Sequence, residues 1–528
     1  MPPPLDDALS PPAPAGGRKR GPRDLTQGPI GRTLVAFALP VMGSNVLQSL
    51  SGTINAAWVS HTLGDAALTA ISNANIIMFL MMGTAFGASM AANLLIAQAI
   101  GSRDLTRVRT VVGSAISFFV FLSVAIGVAG FLLTPGIVGA IGTPGEARLQ
   151  TITYLRVIFM AMPMMYFFNF LQMAQRATGD SRTPFYFSIA AACIDVTLNP
   201  LLIMGLGPFP ALGIAGSALA TLTAQAVTMS VMLIYLYRTH SVLMLRRAHW
   251  GLLRPQWVII RTLVLKGMPM ALQMVVVSGS GLILISMVNA YGVRTAAAYG
   301  AAAQLWTYVQ MPAMAMGAGA SAMAAQCVGA GRMDRLDRIT LVSSLLAALL
   351  SAVPIGLIYL FEPVFLRLIL PVSSPALPVA MHINAIVLWA FIFFSVSFAV
   401  TGVVRATGAV WPPLLGMVFA MWIMRLPFAH GLQPVLGADA IWWSFPLGTF
   451  TAFVIALAYY RFGGWRAGRL MDDLPRGETA DTGLSPPSGL EESEIAAEVM
   501  RSLTAGPNRP GPEAPAGSAK TPTAEAES

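Results

Sequence analysis

Between residues 33 and 461, long apolar runs are broken by short polar stretches, and none shows the period-two alternation of a half-buried strand. Twelve runs reach the ~18 residues a membrane helix needs. They fall at 33–57, 70–99, 110–133, 151–175, 184–206, 211–237, 259–289, 296–328, 340–361, 379–404, 410–430 and 439–461. Lipid leaves only helices and closed barrels as spanning structures, and continuous runs select helices. Several runs exceed the ~20 residues that cross a bilayer, which predicts tilt or extension beyond it.

The 528-residue chain is 55% hydrophobic and 10% charged, with a mean hydropathy of +0.68. Soluble domains carry about 25% charged residues, so this chain has too little polar surface for a water-soluble body. Its net charge of +9 would suit nucleic acid, but the basic residues lie between apolar runs rather than on one face. That distribution reports membrane topology and predicts no nucleic-acid partner. Arg18, Lys19, Arg20, Arg23 and Arg32 precede the first run, and Arg103, Arg107 and Arg109 follow the second. The stretch 238–266 adds six, and Arg332, Arg335 and Arg338 follow the eighth run. The opposite connections hold at most one each, such as Arg148, Arg294 and Arg367. With an even number of spans, this bias predicts an integral protein of the cell (inner) membrane with both termini cytoplasmic.

Residues 1–32 are rich in Pro, Gly and Arg and lack the apolar core of a signal peptide, so the first span is expected to serve as its own insertion signal. Residues 462–528 hold 11 of the 23 acidic residues and no long apolar run. Both ends read as disordered cytoplasmic segments, apart from a short amphipathic helix expected over 491–503. Cys193 and Cys327 have no CxxC spacing and read as small buried apolar side chains rather than metal ligands or a disulfide.

The two halves echo one another. RATG occurs at 176–179 and again 229 residues later at 405–408, and Pro40 and Pro269 share that offset. AQAIGSRDLTRVR (97–109) resembles AQCVGAGRMDRLDR (325–338), with Gly101 and Gly329 offset by 228. Six spans per half make the repeats parallel, related by an axis along the membrane normal, as in two-lobed transporters. The expected division is an N-lobe at 33–237, a cytoplasmic inter-lobe loop at 238–258 and a C-lobe at 259–461, with a binding site between the lobes.

An acid at the bilayer centre costs about 2.5–3.5 kcal/mol on the milder insertion scale and is by default a functional candidate. Asp195 is the acid placed well inside a span, whereas Glu362 and Asp439 are placed at helix ends. Asn199 follows one turn later on the same face and Ser188 precedes it by seven residues. The first span carries Ser44, Gln48, Ser51 and Asn55. The fourth carries Tyr166, Asn169, Gln172 and, at its end, Arg176. The sixth carries Thr221, Gln225 and Thr228. Convergence of these stripes predicts a polar cavity in the first lobe, although interhelical hydrogen bonding alone also explains any single stripe. The second lobe offers Gln273, Ser280, Gln304, Tyr308 and Gln310. Met-rich stretches around 311–316 and 160–165 would suit re-packing around apolar ligands, although such residues more often simply fill helix contacts. His382 reads as structural. No GxxxxGK[ST] motif and no paired acids or nucleophile–base set appear, so neither an ATPase, another enzyme nor a cofactor is predicted.

Segments along residues 24–466 resemble the multidrug and toxic compound extrusion (MATE) transporters. They include DLTQGPIGRTLVAFALP (24–40), INAAWVSHTLGDAALTA (54–70), RATGDSRTP (176–184) and LNPLLIMGLGPFPALGIAGSALAT (198–221). In the second half KGMPMALQ (266–273), QMPAMAMGAGASAMAAQCVGAGR (310–332) and RLPFAHGL (425–432) join the set. The resemblance implies an all-α membrane fold of twelve transmembrane helices, two six-helix lobes forming a V, and alternating access. It further implies cation-coupled export of amphipathic, often cationic compounds, and a bend at Pro40 linked to coupling, with Pro269 its counterpart. Family members commonly carry Asp where this chain has Asn55, and N-x-x-x-D-P where it reads Asp195–Val–Thr–Leu–Asn199–Pro200. A helix 7 Glu of the NorM-like branch would fall near Val277, so the resemblance favours a DinF-like site in the N-lobe.

The expected function is therefore a proton-coupled antiporter, with Asp195 doing the coupling alone and Na⁺, held through Asn55, Asn199 and Thr221, the lesser option. Its expected partners are a small-molecule substrate, the coupling ion and membrane lipid, and the expected state is a monomer with no metal. The alternative is a lipid-linked precursor flippase or polysaccharide exporter of the same superfamily. That reading calls for a more cationic central cavity, where the sequence offers only Arg156.

Overall fold

The computed structural model describes residues 24–470 apart from 64, 141–144, 206–209, 240, 246–250, 372–373 and 469. The apolar runs form twelve long helical segments. The first six are α1 (Ile30–Leu63), α2 (Asp65–Gly101), α3 (Leu105–Ala140), α4 (Gly145–Ala177), α5 (Arg182–Met204) and α6 (Ile214–Arg238). The second six are α7 (Trp257–Asn289), α8 (Val293–Gly329), α9 (Asp334–Arg367), α10 (Leu377–Ala406), α11 (Trp411–Gly431) and α12 (Asp439–Phe462). A 3₁₀ turn at Leu388–Ala390 interrupts α10, and a π turn at Phe419–Arg425 interrupts α11.

Among the described residues, eleven of these segments are long and apolar enough to cross a membrane by length and composition. The twelfth expected span, α8, is not among these eleven because its composition is only weakly apolar. It is rich in Ala, Gly and Met and buried almost continuously from Met311 to Val328, and small side chains let neighbouring helices approach closely.

The repeated RATG is a helix stop. Gly179 and Gly408 both adopt left-handed φ, +82° and +92°, and their N–H groups return to the Arg176 and Arg405 carbonyls at 3.0 and 2.9 Å. Glycine takes that conformation at little steric cost. Each stop leaves an arginine in the last turn of α4 or α10.

Helices α1–α6 pack as one bundle and α7–α12 as another, with α2 against α7 and α8, and α1 against α8, at the seam. Near the basic loops the seam is reciprocal. Gln98 Nε2 donates to the Ala406 carbonyl (2.7 Å), and its repeat partner Gln326 donates to the Ala177 carbonyl (2.8 Å). A Cβ at Gly101 would overlap the Gln326 carbonyl, and one at Gly329 the Gln98 carbonyl. The helices therefore meet backbone to backbone, and the offset of 228–229 residues appears in space as a two-fold contact.

Two boundaries shift from expectation. Residues 24–32, expected to be disordered, are ordered: Leu25 and Thr26 are buried, and the Leu25 N–H donates to Gln326 Oε1 at 3.0 Å. Arg332 donates to the Thr26 carbonyl at 3.0 Å and Arg335 to the Gly28 carbonyl at 2.9 Å. Hydrogen bonds from Thr26, with Arg103 beside it, hold the Asp24 carboxyl below the usual carboxylate range. At the other end, residues 464–467 form a 3₁₀ turn, where Trp465 is buried and donates to the Tyr460 carbonyl at 2.7 Å. The remainder of both expected disordered segments, including 491–503, lies outside the described residues.

Candidate functional site

Helix α5 carries Asp195 to the wall of a cavity of about 340 Å³ inside the first bundle. Asp195 Oδ1 accepts a hydrogen bond from Thr221 Oγ1 on α6 at 3.0 Å. Helix α1 brings Gln48, Ser51 and Asn55 to the same cavity, α4 brings Tyr154, Asn169 and Gln172, and α6 brings Ser217 and Gln225. Ser188, two turns before Asp195, also lines it. The stripes converge because positions three and four apart share a helical face.

Several wall groups have no protein partner. The Asn55 Oδ1, Asn169 Oδ1, Ser217 Oγ and Gln225 Oε1 atoms are buried and unpaired. Buried polar atoms are ordinarily hydrogen-bonded, so a polar cavity with several unpaired oxygens suits a hydrated ion or a polar ligand. One carboxylate among neutral oxygens can exchange a proton or attract a cation.

Other expected site residues fall elsewhere. Asn199 is fully buried, with both amide atoms unpaired, and is not on the cavity wall. Tyr166 is also fully buried; its hydroxyl sits 2.6 Å from the Met81 carbonyl and 2.7 Å from Thr84 Oγ1. It pins α4 to α2 rather than facing a ligand. Gln273 borders a separate small cavity of about 50 Å³ in the second bundle. Gln304 and Tyr308 lie exposed on α8, so the three do not assemble with the first group. Pro40 and Pro269 each sit inside a continuous helix.

A further cavity, about 240 Å³, lies between the bundles and draws residues from both. Gln48, Asn169 and Gln172 border it as well as the Asp195 cavity. Arg176 and Arg405 both line it, which corrects the expectation that only Arg156 offers charge. Arg156 is instead exposed, over the Phe131 ring. The missed signal is the repeated RATG, which sets one arginine per half in the last turn of a helix, α4 or α10.

Glu362 directly follows a break in α9 at Phe361 (φ −118°, ψ 25°) and is buried, accepting from Asn384 Nδ2 at 2.9 Å. His382 is not alone but pairs with Asp439 at 2.9 Å. Cys327 is buried as expected, whereas Cys193 is exposed. No cluster of potential metal ligands occurs among the described residues.

A duplicated helical bundle with an acid-bearing cavity in one half and a second cavity at the seam has the form of a membrane transporter. The MatE family model matches residues 40–201 and again 269–430, reproducing the internal repeat, and the chain belongs to that family. It is 33% identical over 436 residues to the probable multidrug resistance protein YoeA of Bacillus subtilis (strain 168), covering 82% of this chain and 94% of that protein. YpnP of the same organism, also a probable multidrug resistance protein, is 28% identical over 452 residues, covering 85% and 99%. Among solved structures, an outward-facing multidrug resistance MATE family transporter of the MOP superfamily superposes with a TM-score of 0.77 at 20% identity. It covers 84% of this chain and 97% of its own. The fold is that of the MATE transporters.

Proposed function

We propose that this protein is a multidrug efflux antiporter that exports small amphipathic organic compounds, cations among them, in exchange for protons. The carrying observation is Asp195 on the wall of the first-bundle cavity, bonded to one hydroxyl and surrounded by unpaired amide oxygens. A proton on Asp195 neutralises the carboxylate that would attract a cationic substrate, so proton and cation compete for the same group, and such competition couples their opposite movements. The curated names of the relatives support the substrate class. The position of the acid in the first bundle supports a DinF-like site.

Na⁺ is the weaker alternative: of the neutral oxygens expected to hold it, Asn199 lies off the wall, while Asn55 and Thr221 line it. The basic loops support a cell-membrane protein with cytoplasmic termini. Pro40 and Pro269, each lacking an N–H inside its helix, are the proposed bending points. A second reading, a lipid-linked precursor flippase or polysaccharide exporter, is favoured by the two arginines on the inter-bundle cavity.

The test is export of a fluorescent cation from everted vesicles, with pH and Na⁺ gradients imposed separately. The pH gradient is expected to drive wild-type export and the Na⁺ gradient alone is not. Asp195→Asn is expected to abolish pH-driven export, and undiminished export by that variant would overturn the proposal.

A further inference from the structure

We infer that the inter-bundle cavity is a subsite for the anionic group of an amphipathic substrate, held by Arg176 and Arg405. Both arginine residues are more than nine-tenths buried, at 8% and 4% exposure, and both line this cavity. A buried cation is ordinarily paired, yet among the described residues neither forms a salt bridge with a carboxylate. Arg176 Nε has no partner, and Nη1 reaches only the Met173 sulfur at 4.0 Å. Arg405 turns to its own helix, bonding the Thr401 carbonyl and hydroxyl at 3.2 Å each, with the Phe398 ring 5.1 Å away.

Placement in the last helical turn offsets part of the cost of burying these charges, but leaves most of their ten N–H donors free. No acidic residue lines the cavity. Its other walls are amides such as Asn45 and Gln172 and apolar groups such as Phe79 and Met314. A planar guanidinium fork favours carboxylate or phosphate oxygens. The complementary ligand therefore carries a carboxylate or phosphate at one end and an apolar body. The inference deepens the exporter reading, on which it rests for the cavity's place in transport.

The test uses the purified full-length protein and two dyes with one xanthene core: carboxyfluorescein as the anion and a rhodamine ethyl ester as the cation. Carboxyfluorescein is expected to bind the wild type in detergent, by fluorescence anisotropy. Arg176→Gln and Arg405→Gln should each weaken that binding at least about tenfold relative to their effect on the rhodamine, as loss of one partner of a buried charged contact does. Arg176→Lys and Arg405→Lys should recover much of it. Competition by a polyprenyl phosphate points to a lipid-linked source of the anion; competition only by soluble organic phosphates or carboxylates points to a free one. Absence of carboxyfluorescein binding to the wild type overturns the inference, and that measurement does not depend on any variant folding. Equal loss of both dyes in the Gln variants, without rescue by Lys, also overturns it and assigns the arginines to packing. Because binding is read at equilibrium with no gradient, it fails only if the anion site is absent, whereas vesicle export fails if the coupling reading is wrong.

Discussion

In the first bundle, α5 presents Asp195 to a cavity of about 340 Å³. At the repeat offset of 229, α11 has Met424 and then Arg425, whose guanidinium lies 3.6 Å from the centre of the Phe445 ring. Around it the second bundle is filled with rings: Trp306 contacts Phe445 edge-on, and Tyr299 stacks on Trp442. Its buried acid, Glu362, belongs to a closed chain in which Asn384 bonds both Glu362 and Trp306 at 2.9 Å. Asp195 instead has one hydroxyl partner and unpaired oxygens around it. A common scaffold thus supports two different interiors. One holds a cavity of about 340 Å³ with a carboxylate on its wall; the other has a cavity of about 50 Å³ beside Gln273 and a charge held against an aromatic face. At the seam the bundles are alike, and Gln98 and Gln326 perform the same task in opposite directions.

This contrast predicts unequal effects inside the bundles and equal effects at the seam. The largest inequality is between Asp195→Asn, expected to reduce pH-driven export to background, and Arg425→Met. The latter removes a cation–π contact worth about 1–2 kcal/mol and should lower thermal stability while export remains pH-driven. At the seam, Gly101→Val and Gly329→Val should each destabilise by about 3 kcal/mol in thermal melts, because a side chain there collides with backbone that cannot rotate away. A marked difference between the two would break the two-fold picture. Thr221→Ala should cut export by about tenfold, the loss of one hydrogen bond to a charged group, with Thr221→Ser retaining most of it. Gln98→Ala and Gln326→Ala should each cost about 1 kcal/mol, equal within error. Smallest of all, Glu362→Gln keeps the carbonyl oxygen that Asn384 reaches and should shift stability by less than about 1 kcal/mol.

The membrane spans were legible because lipid imposes one rule on every residue of a span, and each expected run lies within or largely overlaps an observed helix. Helix α8 was legible as a run although its many alanines and glycines make it only weakly apolar. The Asp195 cavity was legible in part. Gln48, Ser51, Asn55, Asn169, Gln172, Thr221 and Gln225 fall on it, since spacing determines which positions share a helical face. Spacing does not say which neighbour a face meets, and so Tyr166, on the same helix as Asn169, turns to Met81. Asn199 lies one turn beyond Asp195 and off the wall. The ordered ends were missed because composition suggests solvation for both, while the anchors are single residues, Leu25 and Trp465, packed into the folded body. The arginine pair was visible as a repeat, but its meeting at one cavity depends on how the bundles dock.

Whether Asp195 takes up and releases a proton is best read directly from its carboxyl group. In the acid-minus-alkaline infrared difference spectrum of the purified protein, the wild type should show a protonated-carboxyl C=O band that is missing from Asp195→Asn. An identical band in both proteins, or no Asp195 band across the range in which export works, would contradict the account.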